Sequence, residues 1–336
     1  MLELITSYSL AVKEICHEIS ISKNGDRIAF CLYLWEPGES SDLIMKELNF
    51  AAKCGVHITI DVDCSRVSRF ARLVEHTKSF MGNIKRLQEN YPANVRCLCQ
   101  SFPNHSKFYL FERGGENSTL IFGGMNLGDR FTEWKDFLVK VQGFNLGKYV
   151  YETFVLEKEH HNSNNLPLKI IMNDPKRKIF EIENTLKNVF GDKRFREYTI
   201  ITPYIDRRGI DLLSEPLRRG ATVRLIIPVQ ANIYQNANMR NISKFAVLSN
   251  VKVLTFQKMI HAKAVLANGD AKTCFLGSAN LKKNSFDKLG EFNGLIDDVD
   301  FNNQLSNEVD RIAKSCIPFV VKPYKKIMSR VEEFLG

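Results

Sequence analysis

Two short strings in this chain place a histidine and a lysine two residues apart: His105-Ser106-Lys107 and His261-Ala262-Lys263. Each is followed by an apolar run, a set of turn residues, a second apolar run and a tetrad that ends in asparagine. The tetrads are Gly123-Gly124-Met125-Asn126 and Gly277-Ser278-Ala279-Asn280. In extended chain the side chains alternate, so His and Lys at i and i+2 project from the same face. An imidazole attacks or moves a proton near neutral pH, and a lysine supplies a fixed positive charge. A small residue lets the backbone approach a phosphate, and an asparagine amide can donate to its oxygens. One such string would be weak evidence, because a single histidine is usually structural. Two in the same order are different: 156 residues separate the two histidines and 154 separate Gly123 from Gly277. His105, Lys107, Asn126, His261, Lys263 and Asn280 are therefore the candidate site. His17, His57, His76, His160 and His161 have no matching neighbours and read as solvated.

The elements that must hold these residues repeat as well, and a repeat decides the architecture. In the first half, 27–35 reads as a strand, 40–55 as a helix stopped by Gly55, and 56–62 as the next strand. In the second half, 198–205, 209–220 and 221–229 repeat the order, with Gly220 as the helix stop. Strand, helix, strand implies parallel pairing through a right-handed crossover. Each half then reads as a hairpin, 105–112 with 118–124 and 261–268 with 272–278. The turns are Arg113-Gly114-Gly115-Glu116-Asn117 and Asn268-Gly269-Asp270; Asn-Gly between apolar runs is a strong hairpin signal. The expected fold class is α/β: two duplicated lobes, 1–155 and 156–336, each a mixed β-sheet flanked by helices and related by a pseudo-twofold axis.

Composition sets outer limits. The chain has 336 residues, 47 Lys and Arg against 38 Asp and Glu, and a net charge of +9. That excess favours a polyanion as partner, either nucleic acid or an anionic lipid surface. The eight cysteines lack the paired spacing of a zinc site, and Cys31, Cys54 and Cys274 sit in apolar runs that predict burial as free thiols. No metal-ligand cluster and no cofactor motif is visible, which predicts turnover without either. The N-terminal stretch does not read as a signal peptide, and no apolar stretch is long enough to span a membrane, so membrane contact is expected to be peripheral. The terminal stretch 320–336 mixes Lys322, Lys325, Lys326 and Arg330 with Ile327, Val331 and Phe334. It reads either as a helix lying on an anionic membrane or as one packed on its own domain with a solvated basic face.

HSKFYLFE with GGMN, and HAKAVLAN with GSAN, resemble the duplicated HxKxxxxD and GSxN signature of the phospholipase D superfamily. The runs 123–143 and 261–293 are similar to the motifs of its cardiolipin synthase-like branch. The resemblance implies a metal-free reaction in which one motif histidine, assigned as His105, attacks phosphorus to form a phosphohistidine. The other, His261, then protonates the leaving oxygen and activates the acceptor, an order that the sequence leaves reversible. Lys107, Lys263, Asn126 and Asn280 would hold the phosphate oxygens. The acids downstream of the tetrads, Asp136 and Glu291, match the carboxylate that orients the motif histidine, each expected to serve the histidine of its own half. The position of the signature aspartate is Glu112 in the first copy and Asn268 in the second, with Asp270 two residues on.

The expected function is phosphatidyl transfer or phospholipase D hydrolysis on phospholipids at a membrane surface, by a monomer that carries both half-sites. The expected location is cytoplasmic, or secreted by a route without a signal, with peripheral membrane association. The alternative is a metal-independent endonuclease, which the basic charge allows.

Overall fold

The computed structural model describes residues 1–63, 80–100, 102–113, 117–143, 146–157 and 167–335. Cys64, His76, His160, His161 and the turn positions 114–116 lie outside the described residues. The chain forms two compact units: Met1–Glu133 with Phe137–Asn165, and Leu166–Gly336 with the three residues Trp134–Asp136.

The first unit is built on seven strands, β1 (Leu2–Ile5), β2 (Arg27–Leu32), β3 (His57–Asp63), β4 (Val95–Gln100), β5 (Phe108–Glu112), β6 (Thr119–Gly123) and β7 (Leu138–Gln142). Their order is β4-β3-β2-β5-β6-β7-β1. β2, β3 and β4 run parallel, and the remaining pairings are antiparallel. The sheet is therefore mixed, with a crossover part joined to a meander. The helix Glu39–Lys53 connects β2 to β3 and buries Ile44, Leu48 and Ala52. Such parallel strands are covered on both faces, which is why β2 reads as a near-continuous apolar run. Phe30 on β2 stands opposite Tyr109 on β5, and their rings meet edge to face at 5.0 Å, a cross-strand pair of the kind that fixes register.

The second unit repeats this plan. Its strands are β8 (Leu168–Asp174), β9 (Ile179–Phe180), β10 (Phe195–Ile201), β11 (Thr222–Pro228), β12 (Val251–Phe256), β13 (Ala264–Gly269), β14 (Lys272–Gly277), β15 (Glu291–Ile296) and β16 (Ile317–Pro318). The core order is β12-β11-β10-β13-β14-β15-β8, the same as in the first unit, with β16 and β9 added at the two edges. The core gathers Ile200, Leu225, Ile227 and Val265 from the strands with Leu186, Phe190, Ile242 and Phe245 from helices.

Three local expectations are corrected. The stretch 209–220 is two short helices, Arg207–Asp211 and Ser214–Arg218. Pro216 has no N–H to continue a helical ladder, so one longer helix does not form. The strand expected over 198–205 begins earlier and ends at Ile201, ahead of Pro203. Cys54 is exposed, at the open end of its helix, whereas Cys31 and Cys274 are buried.

Candidate active site

Each His-x-Lys string lies in extended chain immediately before the first hairpin strand, at the carboxyl ends of the parallel strands. Phe108 pairs with Cys31 near the end of β2, and Ala264 pairs with Ile201, the last residue of β10. Open α/β sheets bind ligands at this end. At the opposite end of the second sheet, a groove of about 530 Å³ runs past Thr222, Arg224, Lys252 and Asp310, away from the motif.

In the first unit the string is pinned from behind. The Asn104 amide N–H donates to Asp63 Oδ2 at 3.3 Å, its Nδ2 to Cys31 Sγ at 3.3 Å, and its Oδ1 accepts from Ser106 N at 3.1 Å. His105 is 8% exposed and Lys107 fully buried. The Tyr33 ring meets the imidazole at 4.7 Å, and Lys107 Nζ lies 5.2 Å from the same ring while donating to the His105 carbonyl at 2.7 Å. A lysine held this way is a fixed positive charge rather than a flexible surface group.

In the second unit, Lys135 O accepts from His261 N at 2.7 Å and from Ala262 N at 3.2 Å. Asp136 Oδ2 lies 2.7 Å from His261 Nδ1, and the Trp134 ring packs 5.1 Å from the imidazole. An ionised carboxylate only accepts, so in the neutral ring it holds the proton on Nδ1 and leaves the lone pair on Nε2. Lys263 donates to the His261 carbonyl, and its Nζ is 2.9 Å from each ring nitrogen. This pairing corrects the expectation that each histidine takes the carboxylate of its own half. Asp136, downstream of the first tetrad, serves His261. The reason is the path of the chain: Trp134–Asp136 pack with the second unit, pairing Lys135 with Ile260, while residues on both sides stay in the first.

Glu291 occupies the equivalent place at the start of β15. It is fully buried, and its Oε2 accepts from Ser278 Oγ at 2.5 Å, while Ser278 Oγ accepts from Phe292 N at 2.9 Å. The corresponding first-half residue is Gly124, which brings no hydroxyl. The two tetrad asparagines are 3% and 6% exposed, and the Oδ1 atom of each has no hydrogen-bond partner among the described residues. Leaving such an atom buried and unsatisfied costs about 1–3 kcal/mol, and the same orphan acceptor recurs at both repeats.

A family profile described as a cardiolipin synthase, PLD-like domain, matches residues 193–313. The chain is 22% identical to cardiolipin synthase A of Pectobacterium carotovorum over 94% of its own length and 69% of the relative's. Among solved structures, it is similar to phosphatidylserine synthase of Haemophilus influenzae at a TM-score of 0.73 and 14% identity, covering 98% of this chain and 91% of that one. It also overlays polyphosphate kinase of Porphyromonas gingivalis at a TM-score of 0.66 and 14% identity, over 99% of this chain and 52% of that one. The family match thus falls within the second unit, and the whole chain is similar in sequence to a cardiolipin synthase and in fold to these two solved structures.

Against the superfamily's signature, two departures have structural accounts. Glu112, in the aspartate position, is buried and takes a 2.6 Å ion pair from Arg27 on the adjacent strand. In the second copy, Asn268 pairs with Lys272 at the hairpin end, and Asp270 makes an exposed ion pair with Arg196. Asp270 thus faces solvent beyond the hairpin and does not stand in for the missing aspartate. The glycines that open the two tetrads are demanded by packing. Gly123 N donates to Lys107 O and Gly277 N to Lys263 O, and a Cβ on either would lie within 2.5 Å of the backbone of Phe137 or Asn293. Sequence reasoning missed Tyr33, Trp134 and Lys282. For Lys282 a signal existed, a lysine two residues past Asn280. Its ammonium is buried and sits 3.4 Å from the Tyr234 ring centre and 5.9 Å from that of Tyr204.

Proposed function

We propose that this chain transfers or hydrolyses the phosphatidyl group of phospholipids, with His105 as nucleophile and His261 as general acid and base. The observation that carries this reading is the His261 dyad: a buried imidazole with Asp136 on Nδ1 and an ammonium beside it. Such a ring protonates a leaving oxygen through Nε2 and later recovers that proton from an incoming alcohol or water. In the first displacement His105 bonds to phosphorus, and the P–O bond to one alcohol breaks as that oxygen takes the proton. In the second, the acceptor oxygen bonds to phosphorus, the P–N bond breaks, and both histidines return to their starting states. Two in-line displacements retain configuration at phosphorus. Lys107, Lys263, Asn126 and Asn280 hold the non-bridging oxygens as charge builds on them, and Glu291 is assigned to orienting the site through Ser278. Two buried lysines cost several kcal/mol in isolation, and an anionic phosphodiester offsets part of that.

The lipid class follows from the named relatives, a cardiolipin synthase by sequence and a phosphatidylserine synthase by fold. The test incubates the purified chain separately with phosphatidylglycerol vesicles and with single-stranded DNA. Lipid product is expected, turnover is expected to survive chelation, and His105→Ala is expected to lose on the order of 10⁴-fold in rate or more. Asp136→Asn is expected to lose on the order of 10²–10⁴-fold, since it spoils the tautomer while leaving the fold. His261→Ala is expected to lose a comparable factor, since both displacements pass a proton through that ring. DNA cleavage without lipid product would make the chain a nuclease instead.

A further inference from the structure

The last helix, Lys326–Leu335, is amphipathic in the wrong sense for a helix that covers its own core. At about 100° per residue, Ser329, Glu332 and Glu333 share one face and Ile327, Val331 and Phe334 the opposite one. The polar face is the one turned inward. Ser329 is fully buried, and Arg240 donates to its Oγ at 3.3 Å. Glu332 accepts from Asn236 Nδ2 at 2.7 Å and from Ala237 N at 2.8 Å, at the positive end of the helix Gln235–Phe245. Glu333 pairs with Arg240 and accepts from Asn241. The apolar face is left open: Ile327 is 79% exposed, Phe334 86% and Val331 42%. Just before the helix, Val320 and Val321 are 67% and 57% exposed.

Charge is partitioned the same way. Both glutamates of the helix are engaged inward, whereas Lys322, Lys325, Lys326 and Arg330 are exposed around the apolar face. An apolar stripe flanked by four cations, with its acids hidden, matches an anionic lipid surface: hydrocarbon takes the stripe and head-group phosphates take the flank. We propose that the outward face of Lys326–Leu335, with Val320 and Val321, is the surface by which this chain docks on an anionic bilayer. The polar clasp to Gln235–Phe245 keeps the apolar face outward and fixes the helix to the unit that carries His261. The inference deepens the phospholipid reading, and rests on it for the role of the docked bilayer as the source of substrate.

The test is flotation of the full chain with phosphatidylcholine vesicles, with and without phosphatidylglycerol, alongside turnover of a short-chain phospholipid dispersed as monomers. Wild type is expected to float with the anionic vesicles and to stay behind with the neutral ones. The triple variant Ile327→Ser, Val331→Ser, Phe334→Ser is expected to lose at least about tenfold in vesicle affinity, from the apolar area withdrawn. Lys322→Ala, Lys326→Ala and Arg330→Ala are each expected to weaken anionic binding roughly fivefold. All six side chains are exposed, so unchanged thermal unfolding and unchanged turnover of the dispersed lipid are expected. Equal flotation of wild type and triple variant, or equal binding to both vesicle types, would overturn the proposal. So would a wild-type dimer that the triple variant converts to monomer with vesicle binding intact, since a second copy would then own the face. Loss of dispersed-lipid turnover with flotation intact would instead sink the phospholipid reading and leave the docking surface standing.

Discussion

Lys282 shows how far a single side chain can depart from its sequence neighbourhood. It lies in a Lys-Lys pair, and its ammonium rests on the faces of two tyrosines. Burial pulls its pKa down to about 8, with Asp206, Glu333 and Glu332 pulling weakly the other way. Because the folded value lies below the unfolded one, the unfolded chain binds more protons between about pH 8 and pH 10, and stability contributed at this position rises with pH across that window. The difference in unfolding free energy between wild type and Lys282→Met should therefore grow in favour of wild type from about pH 8 to about pH 10. A flat difference in denaturant titrations would mean that the ammonium is hydrated. The motif histidines, lysines and asparagines were legible because their types and spacing repeat. Tyr33 was not, and for Lys282 only its spacing from Asn280 was, because burial and ring contacts depend on chain segments far away in sequence.

At the scale of elements, the hairpins are where pattern and structure agree best. β14 keeps within a residue of its expected limits, whereas β13 begins three residues later than expected and runs through Asn268-Gly269, so the turn falls at Asp270-Ala271. The hairpin's glycine tetrad is positioned by neighbouring backbone more than by turn chemistry. A Cβ at Gly277 would stand 2.5 Å from Phe292 O, a contact that a flexible side chain cannot relieve. Gly277→Ala is expected to cost about 1–3 kcal/mol of stability, read as a lower denaturation midpoint at unchanged slope. A midpoint equal to that of wild type would show that β15 can retreat. The terminal helix was the harder case. Its periodicity was plain in sequence, but periodicity does not say which face turns inward, and here Arg240 and Asn236 on another helix decide it.

For the molecule as a whole, the repeat of strand order is complete, since seven strands in each unit follow one plan. What linear sequence could not reveal is that Trp134–Asp136, flanked on both sides by residues of the first unit, belong to the second. A polypeptide of residues 166–336 retains the core of that unit but lacks the carboxylate on His261. In the full chain the His261 Nδ1 proton is expected as a strongly downfield proton NMR signal that Asp136→Asn removes. The fragment should lack it too, and its presence there would mean that another group accepts from Nδ1.

That borrowed segment also bears on how this lineage is free to change. After a duplication, two halves ordinarily drift apart at their own pace, each conserving its internal partners. Here the acid that follows the first tetrad answers to the histidine that opens the second hairpin, so position 136 must co-vary with position 261 rather than with position 105. Recombination that exchanged one half for a distant homologue's would separate that pair even where each half kept its own motif intact.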